Sequence, residues 1–142
     1  MSSRAFSKSL RLLNASDYQS VFDDAPFRAS HKHILILARP GSSESPRLGL
    51  VIAKKNIRHA VQRNRIKRIA RETFRHQQDN LAGIDAIVLA RRDLDQLDNK
   101  ALHKLFNQQW QRIIKKANKS QTESTENSTH NKKTHIKKEE DR

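Results

Sequence analysis

The side chains with the clearest chemical potential lie in one stretch, Lys54 to Arg75. It contains nine basic residues and one acidic residue, so it holds +8 of the formal net charge of +14. Like charges at this density repel one another, and a polyanion placed opposite them offsets the repulsion. Within the stretch, Arg63-Asn64-Arg65 sets two guanidinium groups, which can each bind a phosphate through paired hydrogen bonds, beside an amide that donates and accepts. This pattern predicts binding of nucleic-acid phosphates.

From about His59 the stretch has the period of an amphipathic helix. At 100° per residue the apolar side chains fall on one face and the polar ones on the other: Ile66, Ile69, Ala70, Thr73 and Phe74 oppose Arg63, Asn64, Lys67, Arg68 and Arg71. A solvated surface helix is the alternative interpretation, but the basic face has almost no acidic partners for ion pairs along the helix. We therefore expect the apolar face to pack on a sheet and the basic face to bind a partner.

A second candidate site consists of Tyr18 and Phe22, which lie one turn apart in a helix predicted over residues 14–23. Unstacked bases bind aromatic rings for about 1–3 kcal/mol each, so the pair could line a groove for single-stranded RNA. Alternatively, the two rings hold the helix on the sheet. Either Asn14 or Ser16 can cap this helix, the latter with Gln in the capping-box position.

The sequence lacks a pattern that would cleave a phosphodiester bond. A protein nuclease usually needs clustered carboxylates that hold Mg²⁺, or a histidine acid and base. Asp93, Asp95 and Asp98 precede a helix start and are expected to cap it and complement its dipole. His31 and His33 could bind a metal, but no third ligand stands at a typical spacing. With three glycines and no cysteine, neither a Gly-rich phosphate loop nor a disulfide framework is possible, and we predict no catalytic residue.

Three apolar runs are predicted as strands, over residues 33–38, 48–53 and 85–90. The first two are separated by a turn-rich segment, 39–46, and are expected to pair as an antiparallel hairpin. The last two flank the basic helix and form a βαβ unit. The predicted order of elements is α-β-β-α-β-α.

The longest helix is predicted over residues 99–118, where apolar side chains form one stripe and Asp98 is the expected cap. Trp110 lies in this stripe, so we expect a core anchor rather than a base-stacking platform. From residue 119 to 142 the composition changes to Ser, Thr, Asn, Lys and Glu, with Ile136 as the single large apolar residue. This segment cannot bury enough apolar surface to fold and is predicted to be a disordered tail.

Length and charge limit the class of protein. A chain of 142 residues predicts one domain, here residues 1–118, in which the basic segment 1–13 is expected to be an irregular arm. The net charge points to nucleic acid before an anionic membrane. No apolar run approaches the roughly 18 residues of a membrane-spanning helix, and the absence of cysteine suits the cytoplasm, where we expect the protein to be.

The basic stretch resembles the signature of a known family, the protein subunit of bacterial ribonuclease P. The likeness rests on Lys54-Lys55, then Ala60-Val61, then Arg63-Asn64-Arg65-Ile66-Lys67-Arg68, with Arg71. It extends more loosely over about residues 8–117. The resemblance implies a single α+β domain of the ribosomal-protein-like kind, with a central mixed sheet and a left-handed βαβ crossover, although the general rule for such units is right-handed.

The resemblance also implies a function. In this family the RNA subunit, with Mg²⁺, removes the 5′ leader from precursor tRNA, and the protein contributes neither a catalytic residue nor a cofactor of its own. One protein per RNA is expected, bound through Lys54, Lys55, Arg58, Arg63, Asn64, Arg65, Lys67, Arg68 and Arg71. The leader is expected in a cleft with Tyr18 and Phe22. Family members often carry an aromatic residue on a cleft strand, which residues 33–37 of this chain lack.

The residues give a physical reason for such a role. Catalytic RNA and substrate RNA repel each other, and a folded domain of about +13 between them would reduce both the repulsion and the demand for Mg²⁺. Two alternatives stay open. One is a ribosome-associated RNA-binding module with no part in an enzyme; the other is a DNA-binding protein, which lacks support because neither helix-turn-helix spacing nor a dimerising element is present. We expect no DNA or membrane partner.

Overall fold

The computed structural model describes residues 11–41 and 44–126, which form a mixed sheet with helices on both faces. The five strands lie in the order β1-β4-β5-β3-β2. They are β1 Arg11–Leu12, β2 Phe27–Ser30, β3 Ile34–Pro40, β4 Arg47–Val51 and β5 Ile84–Ala90. The helices are α1 Ala15–Asp23, α2 Ala60–His76 and α3 Asn99–Glu126, with a 3-10 turn at Leu94–Gln96. β5 runs antiparallel to β3 and parallel to β4.

The inner strands are apolar on both faces because helices cover both faces. On one side Leu37 and Ile87 pack with Val21 of α1. On the other side Ile36 packs in a larger core with α2 and with Trp110 of α3. The two cores explain why the strands appear in the sequence as continuous apolar runs.

The predicted α+β class, the three helices and the division of the basic helix into two faces are confirmed. All five residues of its apolar face are buried: Ile66, Ile69, Ala70, Thr73 and Phe74. Trp110 is fully buried and its Nε1 donates to Thr73 Oγ1 at 2.9 Å, which confirms the expected core anchor. No helix among residues 11–41 and 44–126 is long and apolar enough to cross a membrane.

The predicted hairpin between the first two apolar strands is wrong. β3 and β4 are not neighbours, because β5 lies between them. The segment that follows β3 bonds to the start of β5 instead of closing a tight turn: Gly41 N donates to Gly83 O at 2.7 Å, and Gly83 N donates to Glu44 O at 3.0 Å. The β4-α2-β5 unit is present with parallel strands, and its left-handedness stays a prediction.

Two strands were not predicted. β2 alternates buried and exposed residues over only four positions, a signal too short to recognise in the sequence. β1 has two residues and lies in the segment that the sequence predicts as an irregular arm. It pairs in parallel with β4, and Leu13 N continues the contact by donating to Leu48 O at 3.2 Å. Residues 1–10 of the predicted arm lie outside the described residues.

The last helix is longer than predicted. α3 continues to Glu126, so residues 119–126 are helical, although their composition predicts a disordered tail. Adding a turn to an existing helix avoids the cost of nucleation, so polar residues can extend α3 without burying apolar surface. The rest of the predicted tail, residues 127–142, lies outside the described residues.

Candidate nucleic-acid interface

The predicted phosphate-binding residues lie together on α2 and on the turn before it. We call this set the basic surface; it comprises Lys54, Lys55, Arg58, Arg63, Asn64, Arg65, Lys67, Arg68 and Arg71. The opposite face of α2 is buried in the larger core, and this burial fixes the direction in which these side chains point. Lys54, Lys55, Arg58, Asn64 and Arg68 are exposed, whereas Arg63, Arg65, Lys67 and Arg71 are partly buried.

Arg65 is bonded extensively within the protein. Its Nε donates to Gln62 Oε1 at 2.8 Å, and its Nη1 donates to Leu97 O at 3.0 Å and to Asn99 Oδ1 at 2.9 Å. Its Nη2 donates to Asp95 O at 3.1 Å. Four of the five N–H groups of a guanidinium are thereby used, so Arg65 ties α2 to the segment that precedes α3.

The other arginines of the surface keep more of their hydrogen-bonding capacity. Arg63 donates from Nη1 to Ile57 O at 3.1 Å and to Arg58 O at 2.9 Å, which closes the preceding turn onto α2. Arg71 has a buried Nε without a hydrogen-bond partner. Arg68 is exposed and bonds to no other group in the part of the chain that the structure describes. The arginines that look alike in the sequence therefore differ in how freely they could bind a phosphate.

Sequence reasoning missed Arg92, which enlarges the group of basic side chains. It lies across an open cavity of about 410 Å³ from Lys55 and Arg58, with His59 also in the lining. Asp93 and Asp95 line the same cavity and reduce its positive charge. No local spacing marks Arg92, because the end of β5 brings it beside the turn before α2 only in the folded chain.

Of the three acidic residues before α3, Asp98 has the predicted capping role. Asp98 Oδ1 accepts from Ala101 N at 2.8 Å, which confirms the cap. Asp93 adopts φ 69°, in the left-handed region, immediately before the 3-10 turn. In the described ranges, no three His, Cys, Asp or Glu side chains are grouped to hold a metal ion.

The histidine pair is bonded to protein groups. His33 N donates to His31 Nδ1 at 3.0 Å, and the His33 Nδ1 lies 3.1 Å from Arg92 O. Burial, followed by the nearby charges of His33 and Lys32, lowers the pKa of His31 below its ordinary value. The pair therefore stabilises the turn between β2 and β3.

The first turn of α1 is closed by a capping box. Asn14 Oδ1 accepts from Asp17 N at 3.0 Å, and Asp17 Oδ2 accepts from Asn14 N at 3.1 Å. The alternative with Ser16 as the cap is wrong, and the Gln19 amide bonds instead to Asp23 Oδ1 at 2.8 Å. The Asn14 cap starts the helix earlier and leaves Asp17 available for a second set of contacts.

An ionic network that no sequence pattern predicts lies under this turn; it joins the partly buried Asp17 and Arg47 to the buried Asp85. Arg47 and Asp85 are paired across the parallel strands β4 and β5. Arg47 Nε donates to Asp85 Oδ1 at 2.9 Å and Nη2 donates to Asp85 Oδ2 at 2.7 Å. Arg47 Nη1 also donates to Asp17 Oδ2 at 3.1 Å. The network joins α1 to two strands, and only the strand register, which the sequence does not reveal, brings its members together.

The two aromatic residues of α1 occupy different environments, although their ring centroids are 6.4 Å apart. Tyr18 is partly buried over β4, and its hydroxyl accepts from Leu50 N at 2.9 Å. Phe22 is 45% exposed. Tyr18 therefore holds the helix on the sheet, as one interpretation predicted, whereas the ring of Phe22 is open to solvent.

Part of the sheet beside α1 is left partly exposed. Leu89 pairs with Leu35 on one side and with Val51 on the other, and all three side chains pack against the smaller core while keeping some exposure. We call these three residues, with Tyr18 and Phe22, the cleft. Its floor is aliphatic, so the ring of Phe22 is its most accessible aromatic surface.

Comparisons with known proteins agree with this geometry. A family model described as Ribonuclease P matches residues 6–114. The ribonuclease P protein component of Saccharophagus degradans is 55% identical over 115 residues, which cover 81% of this chain and 85% of that protein. The same component of Pseudomonas aeruginosa is 48% identical over 124 residues, covering 87% and 90%.

Solved structures show the same fold. The ribonuclease P protein of Thermotoga maritima superposes with a TM-score of 0.58 at 28% identity, covering 70% of this chain and 94% of that one. The Staphylococcus aureus protein superposes with a TM-score of 0.61 at 23% identity, covering 75% and 94%. The family match spans most of the chain, and the relatives are close to it over almost their whole length. The chain belongs to the family of ribonuclease P protein components, which take part in processing the 5′ end of tRNA.

Proposed function

We propose that this chain is the accessory protein subunit of a ribonuclease P ribonucleoprotein in the cytoplasm. The RNA subunit, with its Mg²⁺, cleaves the 5′ leader from precursor tRNA, and one protein binds each RNA. The chain supplies no catalytic residue and holds no cofactor alone. The observation that carries the proposal is the basic surface, fixed by a buried helix face in a chain of the ribonuclease P family.

The basic surface binds the RNA subunit through phosphates. All nine residues, Lys54, Lys55, Arg58, Arg63, Asn64, Arg65, Lys67, Arg68 and Arg71, belong to this interface. The exposed cations release the most counterions when they meet phosphate, so they dominate the salt dependence of binding. Arg65 contributes chiefly by holding α2 against the segment before α3, since four of its N–H groups already have protein acceptors.

The cleft binds the leader as single-stranded RNA. Bases stack on aromatic rings without regard to sequence, and Phe22 offers such a ring. This mode of binding suits a leader whose sequence differs from one precursor to the next.

The leader site lies next to the basic surface. β4 ends at Val51, and Lys54 and Lys55 follow three and four residues later. The leader site and the RNA-subunit site therefore adjoin, and both RNAs meet positive charge at their junction. Neither DNA nor a membrane is a partner in this arrangement.

The experiment is reconstitution at low Mg²⁺. The full chain is added to the cognate ribonuclease P RNA, and cleavage of precursor tRNA is followed at a Mg²⁺ concentration where the RNA alone is nearly inactive. We expect strong stimulation with the RNA present and no cleavage by the protein alone. Absence of stimulation, or cleavage by the protein without RNA, would refute the proposal.

A further inference from the structure

We propose that Asp17, Tyr18 and Arg47 are positioning residues for the precursor leader. They fix α1 over the sheet so that Phe22 stands at a set distance from the aliphatic floor of the cleft. This inference rests on the proposed function of the cleft and adds the residues that set its width. Three sets of contacts support it: the Tyr18 hydroxyl with Leu50 at the edge of the sheet, the Tyr18 ring with Gly49, and Arg47 with Asp17 at the first turn of α1.

The hydroxyl of Tyr18 takes the place of a missing strand. β1 ends at Leu12, and the last bond along this edge of β4 is the one from Leu13 N to Leu48 O. Further along the edge, Leu50 pairs with no strand on this side among residues 11–41 and 44–126. Leu50 N donates to the Tyr18 hydroxyl at 2.9 Å, and the hydroxyl donates to Leu50 O at 3.4 Å. Backbone polar groups at a covered edge need such partners, so α1 is tied to β4 at this point.

The ring of Tyr18 sets the height of α1 above the sheet. Beneath it lies Gly49, where an added Cβ would come within 2.7 Å of the Tyr18 Cζ. Real Cβ atoms do not approach other atoms so closely, so a side chain here would displace the ring or the strand. The Tyr18 ring therefore rests directly on the backbone of β4 and spaces α1 from this strand.

The first turn of α1 is fixed by charge. Asp85 is buried, at 5% exposure, and holds the Arg47 guanidinium through two hydrogen bonds of 2.9 and 2.7 Å. The oriented guanidinium donates to Asp17 at 3.1 and 3.3 Å. Hydrogen bonds between ionised groups are stronger and more directional than neutral ones. The bond to Asp85 is also the main cause that raises the pKa of Arg47, which stays charged.

These anchors lie at neighbouring positions, and Phe22 lies one turn beyond them. Phe22, whose ring contacts that of Tyr18, is therefore placed by the anchors of α1, which are Asp17, Tyr18 and the buried Val21. A binding surface must be held within roughly half an ångström of its working geometry. A small rotation of this nine-residue helix would move Phe22 relative to Leu35 and Leu89, and so change the gap that a base must enter.

The sharpest test is Tyr18→Phe, which keeps the ring and removes only the hydroxyl. The complex of the full chain with the cognate ribonuclease P RNA is titrated with precursor tRNA and, separately, with mature tRNA that lacks the leader. We expect affinity for the precursor to fall about three- to tenfold, as for loss of a single hydrogen bond, with affinity for mature tRNA unchanged. Asp17→Asn, which keeps the shape of the side chain, should act in the same direction.

A matched control separates positioning from general loss of stability. Trp110→Phe removes the 2.9 Å bond to Thr73 under the opposite face of the sheet. It should lower Tm as Tyr18→Phe does, without a leader-specific loss of affinity. Unchanged precursor binding by both Tyr18→Phe and Asp17→Asn, or an equal leader-specific loss in Trp110→Phe, would overturn the positioning role. Equal binding of precursor and mature tRNA by the unsubstituted complex would overturn the leader site itself, and the positioning role with it.

Discussion

The basic surface and the cleft are attached to the same sheet by opposite means. α2 is held by a broad apolar face, including Ile66, Ile69 and Phe74, and cations such as Arg68 are exposed on its polar side. α1 buries only Val21 fully and is held by polar contacts of its first turn.

Under the proposed function, this difference matches the range of the forces that each site would use. Attraction between charge and phosphate extends over about 10 Å at 0.1 M salt, so small errors in the position of α2 cost little. Stacking of a base on a ring acts only at contact distance. A site that depends on stacking therefore needs directional bonds to place its ring, and the contacts of Asp17 and Tyr18 supply them.

The largest effect is expected from removing exposed charge. Arg58→Ala combined with Arg68→Ala should weaken binding to the RNA subunit roughly 25- to 60-fold at 0.1 M salt. Each phosphate contact contributes about 0.7–0.9 to the slope of log affinity against log salt, and the two lost contacts add. The slope of log affinity against log salt should fall by about 1.4–1.8. Affinity measured over a range of salt concentrations tests both numbers.

A control of equal charge is available elsewhere on the surface. Lys32 and Lys115 are exposed and lie outside the basic surface. The double substitution Lys32→Ala with Lys115→Ala removes the same charge and should change the slope by much less. Equal slopes for the two double variants would mean that net charge alone, rather than the surface on α2, governs RNA binding.

A smaller effect, confined to the leader, is expected from the cleft. Phe22→Ala should weaken binding of precursor tRNA about tenfold, within the range for loss of one stacked base, and leave mature tRNA unaffected. The slope of log affinity against log salt should stay the same, because no charge is removed.

A control variant is available on α2, where Val61 is 73% exposed. Val61→Ala removes an exposed apolar side chain outside the cleft and should not distinguish the two RNAs. Equal losses for precursor and mature tRNA in Phe22→Ala would remove the ring from the leader site.

The part of the fold that follows from local periodicity could be predicted from the sequence. The two faces of α2, the stripe of α3 with Trp110, and the cap at Asp98 all depend on residues within a few positions of one another. Strand pairing could not be predicted in this way. The runs that became β3 and β4 are joined by a turn-rich segment that suits a hairpin, and the choice of β5 as their common neighbour depends on α2 and on bonds from Gly41 and Gly83.

The same limit applies to the sites. Charge and spacing were enough to propose the members of the basic surface. They did not show which guanidinium groups already donate hydrogen bonds to protein acceptors. Arg65 and Arg68 are separated by one turn, and the sequence predicts both as phosphate-binding residues. What distinguishes them is the segment from Asp95 to Asn99, which folds back about thirty residues later and supplies acceptors to Arg65 alone. Arg47 and Asp85 likewise become partners only through strand register.

The smallest change in affinity is expected from single substitutions of Arg65 and Arg68, which should affect different properties. Arg68→Ala should flatten the salt slope by about 0.7–0.9 and lower affinity for the RNA subunit roughly five- to eightfold, with little change in Tm because the side chain is exposed. Arg65→Ala should instead lower Tm by about 5 °C, since it leaves the carbonyls of Asp95 and Leu97 without their donor, while the slope stays nearly unchanged. Salt titrations and thermal unfolding of both variants provide the comparison. If Arg65→Ala flattened the slope as much as Arg68→Ala, its guanidinium would have to exchange protein acceptors for phosphate on binding, and the segment before α3 would then rearrange when the RNA is bound.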